Sequence, residues 1–249
     1  MKLVALFFCM SGMAGFLENI IFFWLQSYEY YPQILENGYY DMTLGAYISQ
    51  RFLVSTVAVS IAAFGLGVAP VLLLTAMFVG IELIFLAIGI YKLNWWNPAY
   101  TAIGLFLYFL MTKKWYDSLL WVSSRFIRFF TLFSMTYTLY TDIIAIPTLA
   151  GHYRFAVHWF DDPARNTVMV ILIDCFIASF LVAVVCYCRL HWAIKASVPL
   201  AMWASYFVLI RLQLFTFTHV WDLLVFAASD VAVLLNCVYF ERVLSSVRK

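Results

Sequence analysis

A chain of 249 residues in which 65% are hydrophobic and only 11% charged lies far from a soluble globular domain, where about a quarter of the residues carry charge. It reads as a polytopic membrane protein. The net charge of +2 comes without any basic run or stripe, which argues against nucleic acid as a partner.

Allowing ~20 residues per bilayer crossing, eight apolar stretches are predicted near 3–24, 52–68, 70–91, 98–112, 129–148, 167–188, 197–217 and 220–240. The second and fourth are short, which leaves seven as the alternative count. The expected fold is an all-α transmembrane helical bundle forming one domain over residues 1–249. Glu18 and Asn19 interrupt the first stretch and no small-residue cleavage site follows it, so it is taken as a span and not as a leader. Residues 26–51, rich in Tyr and carrying Glu29, Glu36 and Asp41, are expected to form an outer loop. Gly65, Gly67 and Pro70 mark a tight turn between the second and third spans. The five cysteines are an odd number, scattered without ligand spacing, and read as packing residues. His152, His158, Asp161 and Asp162 fall in one outer loop and read as solvated surface, so neither a metal nor a cofactor is implied.

The last stretch, Val220 to Phe240, places Asp230 about halfway through an apolar run. A carboxylate at that depth costs roughly 2.5–3.5 kcal/mol to insert, so its presence points to function. Glu18, Glu82, Asp142, Asp174 and Arg211 interrupt other apolar runs. At ~1.5 Å per residue, Glu82 and Asp230 come out about 14–15 Å below the outer surface, and the other four roughly 9–11 Å. A shared layer of this kind predicts one polar cavity in the outer half of the bundle. Arg211 is expected to pair with Asp142 or Asp174 across the bundle, and Glu18 to reach the interface beside Asn19. Glu82 and Asp230, with no ionisable neighbour in sequence, are the candidate catalytic acids, expected to face each other. Two deep carboxyl groups that share one proton combine a donor with a supporting base. That suits acid catalysis on an apolar substrate or lipid, and equally a proton-linked transporter or a binding protein for small apolar ligands. The chain lacks a nucleophile elbow, a phosphate-binding loop, a zinc-protease helix and a dinucleotide fingerprint.

Two segments resemble the small membrane-bound terpene cyclases of fungal meroterpenoid and indole-diterpene pathways and their bacterial relatives. One is IELIFLAIGIYKLNWWNPAY with the following KKWYDS, and the other is LLVFAASDVAVLLNCVYFERV. The resemblance implies that the two family acids fall on Glu82 and Asp230. It also implies cyclisation of a prenylated substrate by protonation, without a cofactor. Ile81 stands where that family usually has Trp. Ala228-Ser229-Asp230 is also similar to the Ser-Asp motif of lysoplasmalogenase-type hydrolases, which implies hydrolysis instead.

Orientation follows from Lys and Arg. With a cytoplasmic N-terminus, ten basic residues (Lys2, Lys113, Lys114, Arg125, Arg128, Arg189, Lys195, Arg242, Arg248 and Lys249) fall inside and four (Arg51, Lys92, Arg154 and Arg165) outside. Both termini are therefore predicted to be cytoplasmic. Single cysteines placed in residues 26–51 should label only from the non-cytoplasmic side of sealed vesicles; labelling from the cytoplasmic side alone would reverse the topology.

Overall fold

The structure, a computed structural model, describes residues 1–121 and 124–245. The chain divides into two compact units, Met1–Ile127 and Arg128–Lys249, where the sequence suggested one domain. The first unit runs α1 (Lys2–Trp24), β1 (Tyr28–Tyr30), α2 (Gly38–Ala63), α3 (Val68–Ala87), β2 (Tyr91–Leu93) and α4 (Pro98–Trp121). Next come α5 (Arg125–Leu149), β3 (Tyr153–Phe155), α6 (Pro163–Tyr187), α7 (Trp192–Arg211), β4 (Phe215–Phe217) and α8 (Val220–Ser245). Seven of these helices are long and apolar enough to cross a membrane, and the protein is an all-α, multi-pass helical bundle. The eighth, α4, carries Lys113, Lys114 and Asp117 in its second half. At 24 residues it is about 36 Å long, and it packs against α1, α2 and α3.

Both units use one plan: helix, strand, helix, helix, strand, helix. Within the first, β1 and β2 pair antiparallel with Tyr28 opposite Leu93 and Tyr30 opposite Tyr91. Within the second, β3 and β4 pair with Tyr153 opposite Phe217 and Phe155 opposite Phe215. The strands cap one end of each helix group, where the chain leaves the first and third helices and must satisfy its backbone before entering the next. The left-handed positions repeat as well, with Gln26, Gly65 and Gly89 answering to Gly151, Arg189 and Gln213. Each of these residues sits where a helix has just ended and the chain reverses.

The entry to the second helix of each unit repeats in chemical detail. Asn37 accepts from the backbone N–H groups of Tyr39 and Tyr40 at 3.1 and 3.0 Å, and Asp162 accepts from Ala164 at 2.7 Å, each an N-cap. One turn later Asp41 accepts from the N–H groups of Gln33, Ile34 and Leu35 at 2.8, 2.8 and 2.9 Å. Asn166 does the same for Trp159 and Phe160 at 3.1 and 2.9 Å. The two loops are thus pinned by a side chain from the helix they precede.

These contacts correct the expected outer loop at 26–51. Only residues up to Asn37 are loop, and α2 begins at Gly38. Hydropathy missed its first turns because they carry Asp41 and Arg51, whose charge is absorbed locally: Asp41 by three N–H groups, Arg51 in part by stacking over Tyr47, 5.6 Å from the ring centre. A π-helical stretch over Ser49–Val54 joins this part of α2 to the rest. The predicted Gly65–Pro70 turn is present, with Gly65 at φ +61° between α2 and α3. Gly45 lets α2 approach β1, since a Cβ there would lie 2.7 Å from the Cβ of Tyr30.

Removing Asp41 takes away three charge-assisted hydrogen bonds together. Asp41→Ala should destabilise the protein by about 3 kcal/mol, and Asp41→Asn by less because one acceptor remains. Thermal unfolding of the detergent-solubilised protein measures the difference; equal, small losses for both would mean that the loop is held by something else.

Candidate functional site

Each unit gathers buried acids on the side of its own strand pair. In the first unit, α1 carries Glu18 six residues before its end at Trp24, and α3 carries Glu82 five residues before its end at Ala87. Glu82 is therefore about 8 Å from the helix end, shallower than the sequence suggested, because α3 stops before Ile88. Glu18 does not reach the interface as expected. It is only 7% exposed, and its carboxylate accepts from the Tyr28 hydroxyl at 2.7 and 2.8 Å and from the Gln50 amide at 3.0 Å. A polar strand and a polar helix turn supply inside the unit the donors that water would supply outside it.

Glu82 is 8% exposed, and neither of its oxygens has a hydrogen-bond partner. The polar group beside it is the Thr101 hydroxyl, which itself accepts from the Trp96 indole at 2.8 Å. Tyr28, Tyr30 and Tyr91 form one ring cluster on the strand pair, with centroid separations of 4.9–5.7 Å. Burial, then the charge of Glu18, pushes the Tyr30 hydroxyl above the ordinary phenol range, with Glu82 adding to the effect. The Tyr91 hydroxyl is pushed up by burial, by Tyr30 and by both acids. These hydroxyls are therefore persistent neutral donors within electrostatic reach of Glu18 and Glu82.

In the second unit the acids stand on other helices. Asp230 on α8 is 1% exposed, ten residues from the start of the helix at Val220. Both of its oxygens lack a partner, as do the Tyr140 hydroxyl on α5 and the Trp203 indole nitrogen on α7. Tyr140 and Trp203 are the donors that stand beside the Asp230 carboxyl, without closing a hydrogen bond to it. Asp174 on α6 belongs to the same cluster and accepts from the Tyr206 hydroxyl at 2.8 Å. Toward the strands the wall is aromatic. Tyr206 lies 5.1 Å from Phe226, and Phe215 stacks on Phe155 at 4.5 Å and meets Phe226 at 5.7 Å, centroid to centroid. Such faces favour a cation by ~0.5–2 kcal/mol each.

One expectation fails here. Arg211 forms no ion pair with Asp142 or Asp174: it is the last residue of α7, exposed, with its guanidinium over Phe207 at 5.0 Å. The apolar run continues to 217 in sequence, but Gln213 at φ +58° ends the helix and turns the chain into β4, so Arg211 sits at a span end. Asp142, half-buried on α5, is not its partner. The outer-loop histidines have local duties: His152 pairs with Asp222 at 2.9 Å, and Asp222 also accepts from the His219 N–H at 2.8 Å. Glu82 and Asp230 belong to different units: Asp174 neighbours Asp230 in the second, while in the first Glu18 and Glu82 both lie within reach of Tyr30 and Tyr91.

Sequence reasoning did not find Tyr28, Gln50, Tyr140, Trp203 or Tyr206. The available signal was the repeat, which pairs Tyr28 with Tyr153 and Asp41 with Asn166 but preserves few identities between. Comparisons with protein-family models, with curated proteins and with solved structures return no match.

The buried phenols give a pH signature. The unfolded chain releases phenolic protons near pH 10, while Tyr28, Tyr30 and Tyr91 hold theirs in the folded state. Stability from these groups is complete below pH 10 and is lost as pH rises above it. Phenolate absorbance should show at least three fewer titrating tyrosines in the wild type than after unfolding, and a deficit smaller by three in the Tyr28→Phe/Tyr30→Phe/Tyr91→Phe variant.

Proposed function

We propose that this membrane protein is an acid catalyst acting on an apolar, isoprenoid-type substrate, with Asp230 as the acid and Asp174 as its supporting base. The observation that carries the reading is the unpartnered set in the second unit. A fully buried carboxyl, a tyrosine hydroxyl and an indole N–H have all surrendered water without taking a protein partner in return. Buried polar groups cost about 1–3 kcal/mol each when left unsatisfied, and such costs persist where a ligand or a reaction uses the groups.

The chemistry balances on these side chains. The Asp230 carboxyl proton passes to a terminal olefin carbon, leaving a tertiary cation, and the Tyr140 hydroxyl and Trp203 N–H are placed to take the carboxylate that forms. Ring closure moves the cation toward the faces of Phe226, Phe215 and Tyr206. Loss of a carbon-bound proton to Asp174 restores an olefin; that proton is released to solvent and Asp230 takes one from solvent, which completes an isomerising cyclisation with no cofactor. The likeness of the Glu82 and Asp230 segments to membrane terpene cyclases points to the same reaction class. The Lys/Arg distribution places both termini on the cytoplasmic side.

Turnover in deuterated water tests the reading. The wild type, offered linear prenylated olefins in nanodiscs, should give an isomeric product with one solvent deuterium on carbon. Asp230→Asn should lower the rate at least about 1000-fold, near the middle of what a positioned proton donor contributes, while unfolding at the same temperature or higher because a costly buried acid is gone. Full activity in Asp230→Asn, or no deuterated isomer from the wild type, would overturn acid catalysis and leave binding or transport.

A further inference from the structure

The repeat does not carry the acids to equivalent places. Matching the strand pairs and turns sets Glu82 of α3 against Tyr206 of α7, and matching the helix starts at Pro98 and Val220 sets Asp230 of α8 against Tyr108 of α4. On the strands, Tyr30 and Tyr91 of the first unit stand where the second has Phe155 and Phe215. The first unit is therefore no copy of the second. It exchanges an apolar, cation-favouring wall for hydroxyls.

From this difference we propose that the first unit holds a second, separate ligand site at Glu82, for an apolar molecule that carries a hydrogen-bond-donor head, ammonium or hydroxyl. Three observations support it. Glu82 is more than nine-tenths buried, and among the described residues neither oxygen closes a hydrogen bond, although the Thr101 hydroxyl stands beside it. Glu18, by contrast, is saturated by Tyr28 and Gln50, which leaves Glu82 as the free acid. Among the described residues no ion pair reaches Glu82, which leaves its oxygens open to a donor on a bound molecule. Tyr30 and Tyr91 lie within electrostatic reach of Glu82 as donors and ring faces, suiting a polar head in a way that Phe155 and Phe215 do not. The role is recognition: with no partner for proton return other than the saturated Glu18, the site lacks the donor and base arrangement found around Asp230.

The site is tested on the full chain carrying Asp230→Asn, so that the acid of the second unit is silent. Farnesylamine, farnesol and farnesyl methyl ether are the probes, and binding is read by native mass spectrometry and by the shift in unfolding temperature. At least one donor-bearing probe should bind ten times or more tighter than the methyl ether. Preference for the amine identifies an ammonium head, and preference for the alcohol a hydroxyl head. Adding Glu82→Gln should abolish the preference while the protein stays folded. Tyr91→Phe, which keeps the ring, should weaken the preferred probe severalfold and serves if the Gln variant does not fold. No preference in the Asp230→Asn protein, or a preference that survives Glu82→Gln or is unmoved by Tyr91→Phe, overturns the site. Turnover at Asp230 is a separate readout, so failure of the catalytic reading leaves this result interpretable.

Discussion

Everything in the fold answers to one constraint: in and near a bilayer, backbone N–H and C=O groups must find partners within the protein. Helices meet it along their length. The difficulty comes where the chain leaves one helix and has to reach the next, and each unit solves it with a two-stranded clip formed by the exits of its first and third helices. The clip brings two sequence-distant exits into register, and with them the side chains of Tyr28, Tyr30 and Tyr91, or of Tyr153, Phe155 and Phe215. Loop residues before the second helix are then held by Asp41 or Asn166, which lie one turn into that helix.

The clip also decides where polarity is tolerated. Glu18 lies in an apolar helix, yet Tyr28 on the strand and Gln50 on α2 reach it, so its carboxylate is solvated by protein. Asp174 is treated similarly by Tyr206. Glu82 and Asp230 are not, although donors stand nearby. This division, one satisfied and one unsatisfied acid in each unit, is the basis for assigning supporting and ligand-facing roles. An acid already holding its full set of donors is anchored; one with empty lone pairs has reactivity or affinity to offer.

The two units also show how a shared plan can diverge without losing its frame. Caps, strand registers and left-handed turns recur because they solve the same backbone problem, and a failed solution costs several hydrogen bonds at once. The side chains inside the clip carry no such obligation. Phenylalanine faces in one unit and tyrosine hydroxyls in the other change what each interior can hold, while the helices around them keep their lengths.

By itself the sequence determined the membrane class, the all-α architecture, most span positions and the Gly65 turn, because a ~20-residue apolar run has few alternatives in lipid. It also singled out Glu82 and Asp230, since an acid with no ionisable neighbour in an apolar run is costly wherever the run packs. What only the tertiary structure decided were the features that depend on distant residues meeting. Residues 38–51 became helix because Asp41 and Arg51 found local partners that a hydropathy window does not see. Arg211 became a surface residue because one left-handed glutamine ended its helix six residues before the apolar run did. The clusters around Glu82 and Asp230 join strands and helices far apart in the chain, and side-chain partners across such separations leave no periodic trace in the sequence; the repeat that could have pointed to them is written in backbone geometry and preserved in few identities.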